Sequence, residues 1–317
     1  MMDARAAEPR NHDDAGSRAG SATPFDDLGL TVGSGEPLAA HTWLGVGGPA
    51  RYFCEPVDEE ALAKLVRRCH ELSVPVRVIG GGSNVLVPDG GVAGLVVRLS
   101  APAFCRIEVD AAGPTGRVDA GAGAKLVHVV AAAVQAGLAG IETLVAVPGT
   151  IGGALLGNAG GRGGDIGDRV RRVTVMLPDG TIEDRTGSRL AFGSRWSNLD
   201  DGIVVACRLE LEVESPQQLT KRMQKQWIVE RAEQPSGSRS VALMFKDPLG
   251  ATAESIIAQA GCRGVRVGGA TVHSAHANYV AVQPGSSSND VRGLIEMVRG
   301  QVRQRLGVEL TPQIEPW

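Results

Sequence analysis

A chain of 317 residues carrying 32 basic against 35 acidic side chains, formal net charge −3, presents no cationic field for nucleic acid. No stretch approaches the ~20 uninterrupted apolar residues of a membrane helix, the 43 glycines keep no three-residue period and no heptad persists, so membrane-spanning helical, collagenous and coiled-coil classes are excluded. At ~150 residues per domain the length suggests two domains, with cores that need no disulfide or metal.

Residues 1–27 read as a disordered tail; Met1–Ser21 has no apolar segment of a secretory signal, so a reducing cytoplasm is the expected compartment. The five cysteines, Cys54, Cys69, Cys105, Cys207 and Cys262, form no CxxC pair. Ala61–Leu72 repeats Leu62, Leu65, Val66 and Cys69 at helical spacing after Pro56-Val57-Asp58. Pro75–Ile79 reads as a strand that runs into Gly80-Gly81-Gly82-Ser83-Asn84, followed by Val85–Val87, a turn at Pro88–Gly91 and a third run, Leu95–Leu99. Arg117–Ala120 is a strand leading through Gly121-Ala122-Gly123 into an Ala/Val-rich helix that Gly137 stops. Pro148–Ala154 reads as a second glycine-rich surface, and Asn158–Gly161 as a third. Val170–Met176 and Thr181–Arg185 flank a Pro178-Asp179-Gly180 turn, and Ile203–Val213 alternates as a half-buried strand does.

Composition shifts near Glu214-Ser215-Pro216, which places a domain boundary at 215, giving regions 28–214 and 215–317. Beyond it, Gln217–Arg231 is a basic helical stretch broken at Gln234–Ser238, Ser255–Ala260 and Asn289–Arg305 are helices, and Val308–Leu310 reads as a last strand.

A dinucleotide-binding βαβ unit needs its glycine fingerprint after a strand and at the start of a helix. Gly80–Asn84 opens a strand instead, and Gly121-Ala122-Gly123 has Leu126 where a third glycine belongs. Singly, each loop reads as a tight turn. Together they read as concave rows of backbone N–H groups able to hold a diphosphate and a flat ring system.

These residues resemble a known family. Thr42 with Gly47-Gly48, Ile79–Leu86, Asp89-Gly90-Gly91, Gly121–Gly123, Pro148–Ala154 and Asn158-Ala159-Gly160 are similar to the flavin-binding half of the UDP-N-acetylenolpyruvoylglucosamine reductases (MurB). Gln234-Pro235, Phe245–Pro248, Ala260–Gly264, Gly268–Ala270 and His276-Ala277-Asn278 resemble its other half, in the same order from His41 to Ile314. The resemblance implies an α+β chain, an FAD-binding domain of the p-cresol-methylhydroxylase (PCMH) type followed by a C-terminal substrate domain. It implies noncovalent FAD, NADPH as reductant and a UDP-sugar substrate whose enolpyruvyl ether becomes a lactyl ether in peptidoglycan synthesis, in a monomer or weak oligomer. The cofactor-binding positions it implies are Gly80, Gly81, Gly82, Ser83, Asn84, Gly121, Gly123, Pro148, Gly149, Gly152, Gly153, Asn158, Ala159 and Gly160.

The family reaction takes a hydride from the flavin, a stabilised enolate-like charge and a proton donor over the neighbouring carbon. Phe192–Ser197 resembles the family's F-x-Y-R-x-S and puts Arg195 at the charge-stabilising position, with Ser194 in place of the tyrosine. Leu243 stands where the family has its proton-donating serine or cysteine, and Gln313 where it has a glutamate. Leucine has no proton to give, and an amide cannot cycle one at neutral pH. Ser240, at an odd offset, is expected on the opposite face of the strand; Glu315 is expected to reach inward only after a register shift, and Glu309 is less well placed. Arg231, Lys246 and Asp247 are candidate substrate contacts, with Lys221, Arg222 and Lys225 as either further diphosphate contacts or a solvated face, and Asp247 departs from the family's asparagine. His273 and His276 form an H-x-x-H without further ligands, so no metal is expected. The sequence therefore predicts a flavin-binding homologue with reduction lost or severely impaired. The alternatives are a working reductase with another proton donor, or a non-enzymatic UDP-sugar-binding protein of the cell wall.

Overall fold

The computed structural model describes residues 23–161, 163–235 and 240–317. In the first region β1 (Val32–Pro37), β2 (Pro49–Cys54), β3 (Val76–Val78) and β5 (Val92–Val97) form one sheet in the order β1-β2-β5-β3, with β4 (Val85–Leu86) outside it and α1 (Glu59–Glu71) against it. Asp58 caps α1 by accepting the Ala61 N–H at 2.8 Å, and Leu62, Leu65, Val66 and Cys69 are its buried face. The tail predicted over 1–27 lies outside the described residues as far as residue 22, but Thr23–Asp27 are part of the fold. Phe25 is fully buried with its ring edge-on to Tyr52, and Asp27 takes both guanidinium nitrogens of Arg68 at 2.7 and 2.6 Å. An aromatic ring with a place in the core overrides a disorder-like composition upstream.

The second region holds α2 (Pro102–Cys105), β6 (Ile107–Asp110), β7 (Thr115–Gly121), α3 (Leu126–Gln135), β8 (Leu138–Ala139) and α4 (Ile151–Leu156). It continues through β9 (Gly160–Gly161), β10 (Gly164–Asp165), β11 (Val170–Met176), β12 (Ile182–Thr186), β13 (Phe192–Gly193), β14 (Trp196–Ser197) and β15 (Ile203–Val213). Its main sheet runs β12-β11-β15-β7-β6, with β8 also on β15. The β11–β12 hairpin turns at Gly180, whose φ of 78° is open to glycine. The segment 151–154, read as loop, is the start of α4: Gly152 donates to the Ala122 carbonyl at 2.8 Å and packs on its methyl, so a tertiary contact outweighs the poor helix propensity of two glycines.

The third region contains α5 (Pro216–Glu233), β16 (Val241–Leu243), α6 (Ala253–Gln259), β17 (Arg266–Val267), β18 (Ala270–Val272), β19 (Tyr279–Val282), α7 (Ser288–Leu306) and β20 (Glu315–Pro316), with a sheet ordered β16-β19-β18-β17. The break read at 236–238 lies outside the described residues. Val308–Leu310 is not a strand. The last strand is β20, which runs parallel to β4 with Glu315 opposite Val85, a partner too distant in sequence for local pattern to reveal. The cores do not divide at residue 215: Leu219 of α5 is buried in the core of the first two regions, while Leu44, Val46 and Leu86 are buried in the core of the third. Asp89 ties the regions together, its carboxylate accepting the Ser288 and Asn289 N–H groups at 2.7 and 3.1 Å at the start of α7.

Candidate active site

One cavity of about 2190 Å³ runs between the three regions. It exceeds the roughly 300–1,000 Å³ of an ordinary small-molecule pocket, which leaves space for a dinucleotide and a second ligand side by side. One wall is backbone. Gly80 to Asn84, Gly123, Pro148, Gly149, Gly152 and Gly153, with Ala159 and Gly160, all line it. The two main loops touch: a Cβ on Gly81 would lie 2.8 Å from the Gly149 Cα, and one on Gly80 2.6 Å from the Thr150 hydroxyl. Gly82 has φ 66°, and a Cβ there would overlap the His41 carbonyl. Lys125 bridges Thr150, and Leu126 N–H to Gly149 O (3.1 Å) with Ile151 N–H to Ala124 O (2.9 Å) zips the Pro148–Ala154 segment to the start of α3. The result is a cradle of bare backbone in which a side chain at Gly81, Gly82 or Gly123 would displace backbone, the construction a flat diphosphate-bearing ligand such as FAD requires.

Two predicted cofactor positions are not part of that wall. Gly121 is needed for packing, since a Cβ would overlap the Phe104 carbonyl. Asn158 is buried at φ 40° and spends its amide locally, accepting the Gly167 N–H at 3.0 Å and donating to Gly193 O at 2.8 Å. Its role is to hold β13 and the Ile166–Arg169 turn, and the site contacts come from its neighbours.

The opposite wall is made of side chains. Arg195 sits in the β13–β14 turn at φ 56°, a strained backbone for a non-glycine residue, lines the cavity half-buried, and has no ion-pair partner among the described residues. Leu243, at the end of β16 opposite Tyr279, is 39% exposed and lines the cavity. Gln313 lines it beside Leu243, because its N–H donates to the Met244 carbonyl at 2.7 Å. Arg231 and Lys246 line it too; Lys246 is fixed by its N–H to Thr311 O at 2.9 Å.

Other candidates lie elsewhere. Asp247 does not line the cavity; its carboxylate accepts the Ala253 N–H at 2.8 Å and caps the start of α6. Lys221 and Lys225 are exposed outside it, and Arg222 pairs with Glu142 and Glu214 at 2.9 and 2.6 Å. Ser240 does not line it, and Glu309 pairs with Arg299 at 2.7 Å. His273 uses Nδ1 to accept the Ala275 and His276 N–H groups at 3.3 and 3.1 Å, and burial holds its pKa below the usual value. Among the described residues no three His, Cys, Asp or Glu side chains come together as a metal site would need.

Glu315 behaves differently from expectation. It lines the cavity without any register shift, two residues beyond Gln313 and just past a bend at the buried Ile314. The Glu315 N–H bonds to Asn84 O at 2.9 Å, so its position is set against the glycine cradle.

The chain matches two family models, an FAD binding domain over residues 50–185 and the C-terminal domain of UDP-N-acetylenolpyruvoylglucosamine reductase over 234–317. It is 38% identical to the UDP-N-acetylenolpyruvoylglucosamine reductase of Rhodopirellula baltica, over 92% of this chain and 94% of that protein. It is also 38% identical to the enzyme of the same name from Acidiphilium cryptum, over 89% and 90%. The crystal structure of the corresponding reductase from Thermus caldophilus superposes with a TM-score of 0.76 at 33% identity, covering 91% of this chain and 98% of that one. No described helix is long and apolar enough to cross a membrane.

Proposed function

The chain belongs to the UDP-N-acetylenolpyruvoylglucosamine reductase family, and from that premise we propose that it binds FAD and a UDP-sugar while its reduction of the enolpyruvyl double bond is lost or severely impaired. The glycine cradle fits the flavin nucleotide: Gly80, Gly81, Gly82 and Gly149 line the cavity with backbone that carries no side chain, against which a diphosphate and ring system can lie. Bound there, FAD would take hydride from NADPH and supply it to the alkene. Arg231 and Lys246 offer two cations to the sugar nucleotide's diphosphate, and Arg195 offers one to the carboxylate on which negative charge grows. This is the organisation of an enzyme of peptidoglycan precursor synthesis in the cytoplasm.

What Leu243 and Gln313 lack is a proton to give. The observation that carries the proposal is the neighbourhood of Leu243 and Gln313, linked through the 2.7 Å Gln313–Met244 bond and both lining the cavity. A hydrocarbon and a carboxamide hold the places of the family's hydroxyl and carboxyl, and neither exchanges a proton at neutral pH. A single general acid is worth about 10²–10⁴ in rate. The test is steady-state oxidation of NADPH by the purified yellow protein with UDP-N-acetylglucosamine enolpyruvate. The expected outcome is flavin binding with turnover at least about a hundredfold below that of an ordinary family member; turnover within tenfold would sink the proposal.

A second reading, a working reductase with a displaced acid, is favoured by one observation: Glu315 lines the same cavity as Gln313. It predicts that Glu315→Gln lowers turnover about a hundredfold or more with flavin affinity unchanged. If Glu315→Gln leaves turnover as it was, that reading fails.

A further inference from the structure

Helix α5 has an inward stripe that changes neighbours along its length. Leu219 is fully buried in the larger core, and Met223, one turn on, packs against that core. The next two steps of the stripe, Gln226 with Trp227 and Glu230 with Arg231, leave the core and line the cavity. Ile228, at 62% exposure, with Lys221 and Lys225 belongs to the outer face. Trp227 is therefore 50% exposed because its stripe has run past the packed interior and overhangs the cavity.

A second observation concerns all four tryptophans of the chain. Each of them lines this cavity, although aromatic residues make up only 3% of the sequence. Two are tied to the glycine cradle: the Trp43 N–H donates to Gly82 O at 2.9 Å, and the Trp317 ring lies under the Arg77 guanidinium at 5.4 Å. The other two, Trp196 and Trp227, stand half-exposed on the wall of side chains, each close in the chain to an arginine of the cavity, Arg195 and Arg231. A large ring left wet inside a cleft marks a surface that a ligand covers.

We propose that Trp227 is the stacking platform for the heterocyclic base of a nucleoside diphosphate whose diphosphate Arg231 meets. The inference rests on the UDP-sugar reading and adds to it the residue that recognises the base. An i, i+4 spacing separates the Cα atoms of Trp227 and Arg231 by ~6 Å along the helix axis, so ring and guanidinium rise from adjacent turns, a spacing that a ribose bridges between base and diphosphate. Stacking uses the ring face alone and asks for no further hydrogen bond. Glu230, the acid on the same stripe, has its carboxylate turned to the Gln226 amide at 2.8 Å.

The test is isothermal titration calorimetry on the FAD-loaded full chain with UDP and, separately, inorganic pyrophosphate. Trp227→Ala is expected to weaken UDP about tenfold or more while pyrophosphate stays within about twofold, and Trp227→Phe to retain most UDP affinity. Arg231→Ala is expected to weaken both probes. Unchanged UDP affinity in Trp227→Ala overturns the platform and leaves the sugar-nucleotide reading standing. Equal loss of UDP and pyrophosphate in that variant assigns Trp227 a merely structural role and also overturns it. If the unaltered protein binds neither probe, the platform and the sugar-nucleotide reading fall together.

Discussion

The two walls of the cavity are built from different material, and they tolerate change differently. The glycine cradle is backbone packed on backbone: Gly80, Gly81 and Gly82 meet Thr150, Gly149 and His41 so closely that a single methyl group has nowhere to go. The facing wall is side chains projecting from β16, α5, the β13–β14 turn and the C-terminal segment. There, on the proposed reading, Leu243 stands in a hydroxyl's place and Gln313 in a carboxylate's, with the strand pairing and the Gln313–Met244 bond in place. A site made of backbone must be kept whole or lost with the fold, whereas one made of side chains can lose its chemistry and keep its shape. On the proposed reading, this is how a family member would keep a cofactor cradle beside a wall that has lost two of its catalytic groups.

Four measurements would break or sharpen that contrast. The largest effect is expected on the backbone side. Gly82→Ala adds a Cβ that overlaps the His41 carbonyl at a left-handed φ and should cost about 3 kcal/mol or more of stability, together with loss of the flavin absorbance of the purified protein. On the other wall, Leu243→Ser with Gln313→Glu should leave the melting temperature nearly unchanged and raise NADPH-dependent turnover about a hundredfold or more; no gain would locate the block elsewhere. Smaller is the effect at the seam. Asp89→Ala removes the acceptor of two N–H groups at the start of α7 and should destabilise by about 1–2 kcal/mol, with faster hydrogen exchange at Ser288 and Asn289, and Asp89→Asn should recover part of it. The smallest effect is one of pH. The Ser287 and Gly269 N–H groups hold the Asp290 carboxyl below its ordinary value. A depressed carboxylate contributes fully above the unfolded pKa of ~3.9 and loses that contribution as pH falls through the folded one. Denaturation midpoints of Asp290→Asn should therefore approach those of the unaltered protein as the solution is acidified below ~pH 4.

What could be read from the sequence follows the range of the interactions. The β11–β12 hairpin announces itself in a Pro-Asp-Gly turn between apolar runs, and β15 in an alternation that the sheet keeps over its whole length. The loops Gly80–Asn84 and Pro148–Gly153 are legible as one site because glycine-rich loops taken together offer rows of bare backbone N–H groups, while the close contacts of Gly80 and Gly81 with Thr150 and Gly149 are not legible. Elements decided by distant partners are not legible. The helix α4 depends on Ala122, β20 on Val85 and Leu86, and Phe25 on Tyr52. Side-chain roles divide in the same way: Asn158 and Asp247 look like site residues in their motifs, yet both serve as local hydrogen-bond acceptors. Trp227 drew no notice, although its spacing of four from Arg231 on a helix was available as a signal.

The pairing of β20 with β4 brings together residues some 230 positions apart, counted from Val85 to Glu315. Contacts of that separation are among the last that a chain makes, because the intervening loop must be closed first. The cradle's own loop, Gly80–Asn84, gains its Asn84–Glu315 bond only at that step. A chain emerging from the ribosome thus holds an unfinished cradle through most of synthesis, and refolding should show flavin uptake lagging behind helix formation, with a delay that lengthens when Glu315 and Pro316 cannot pair.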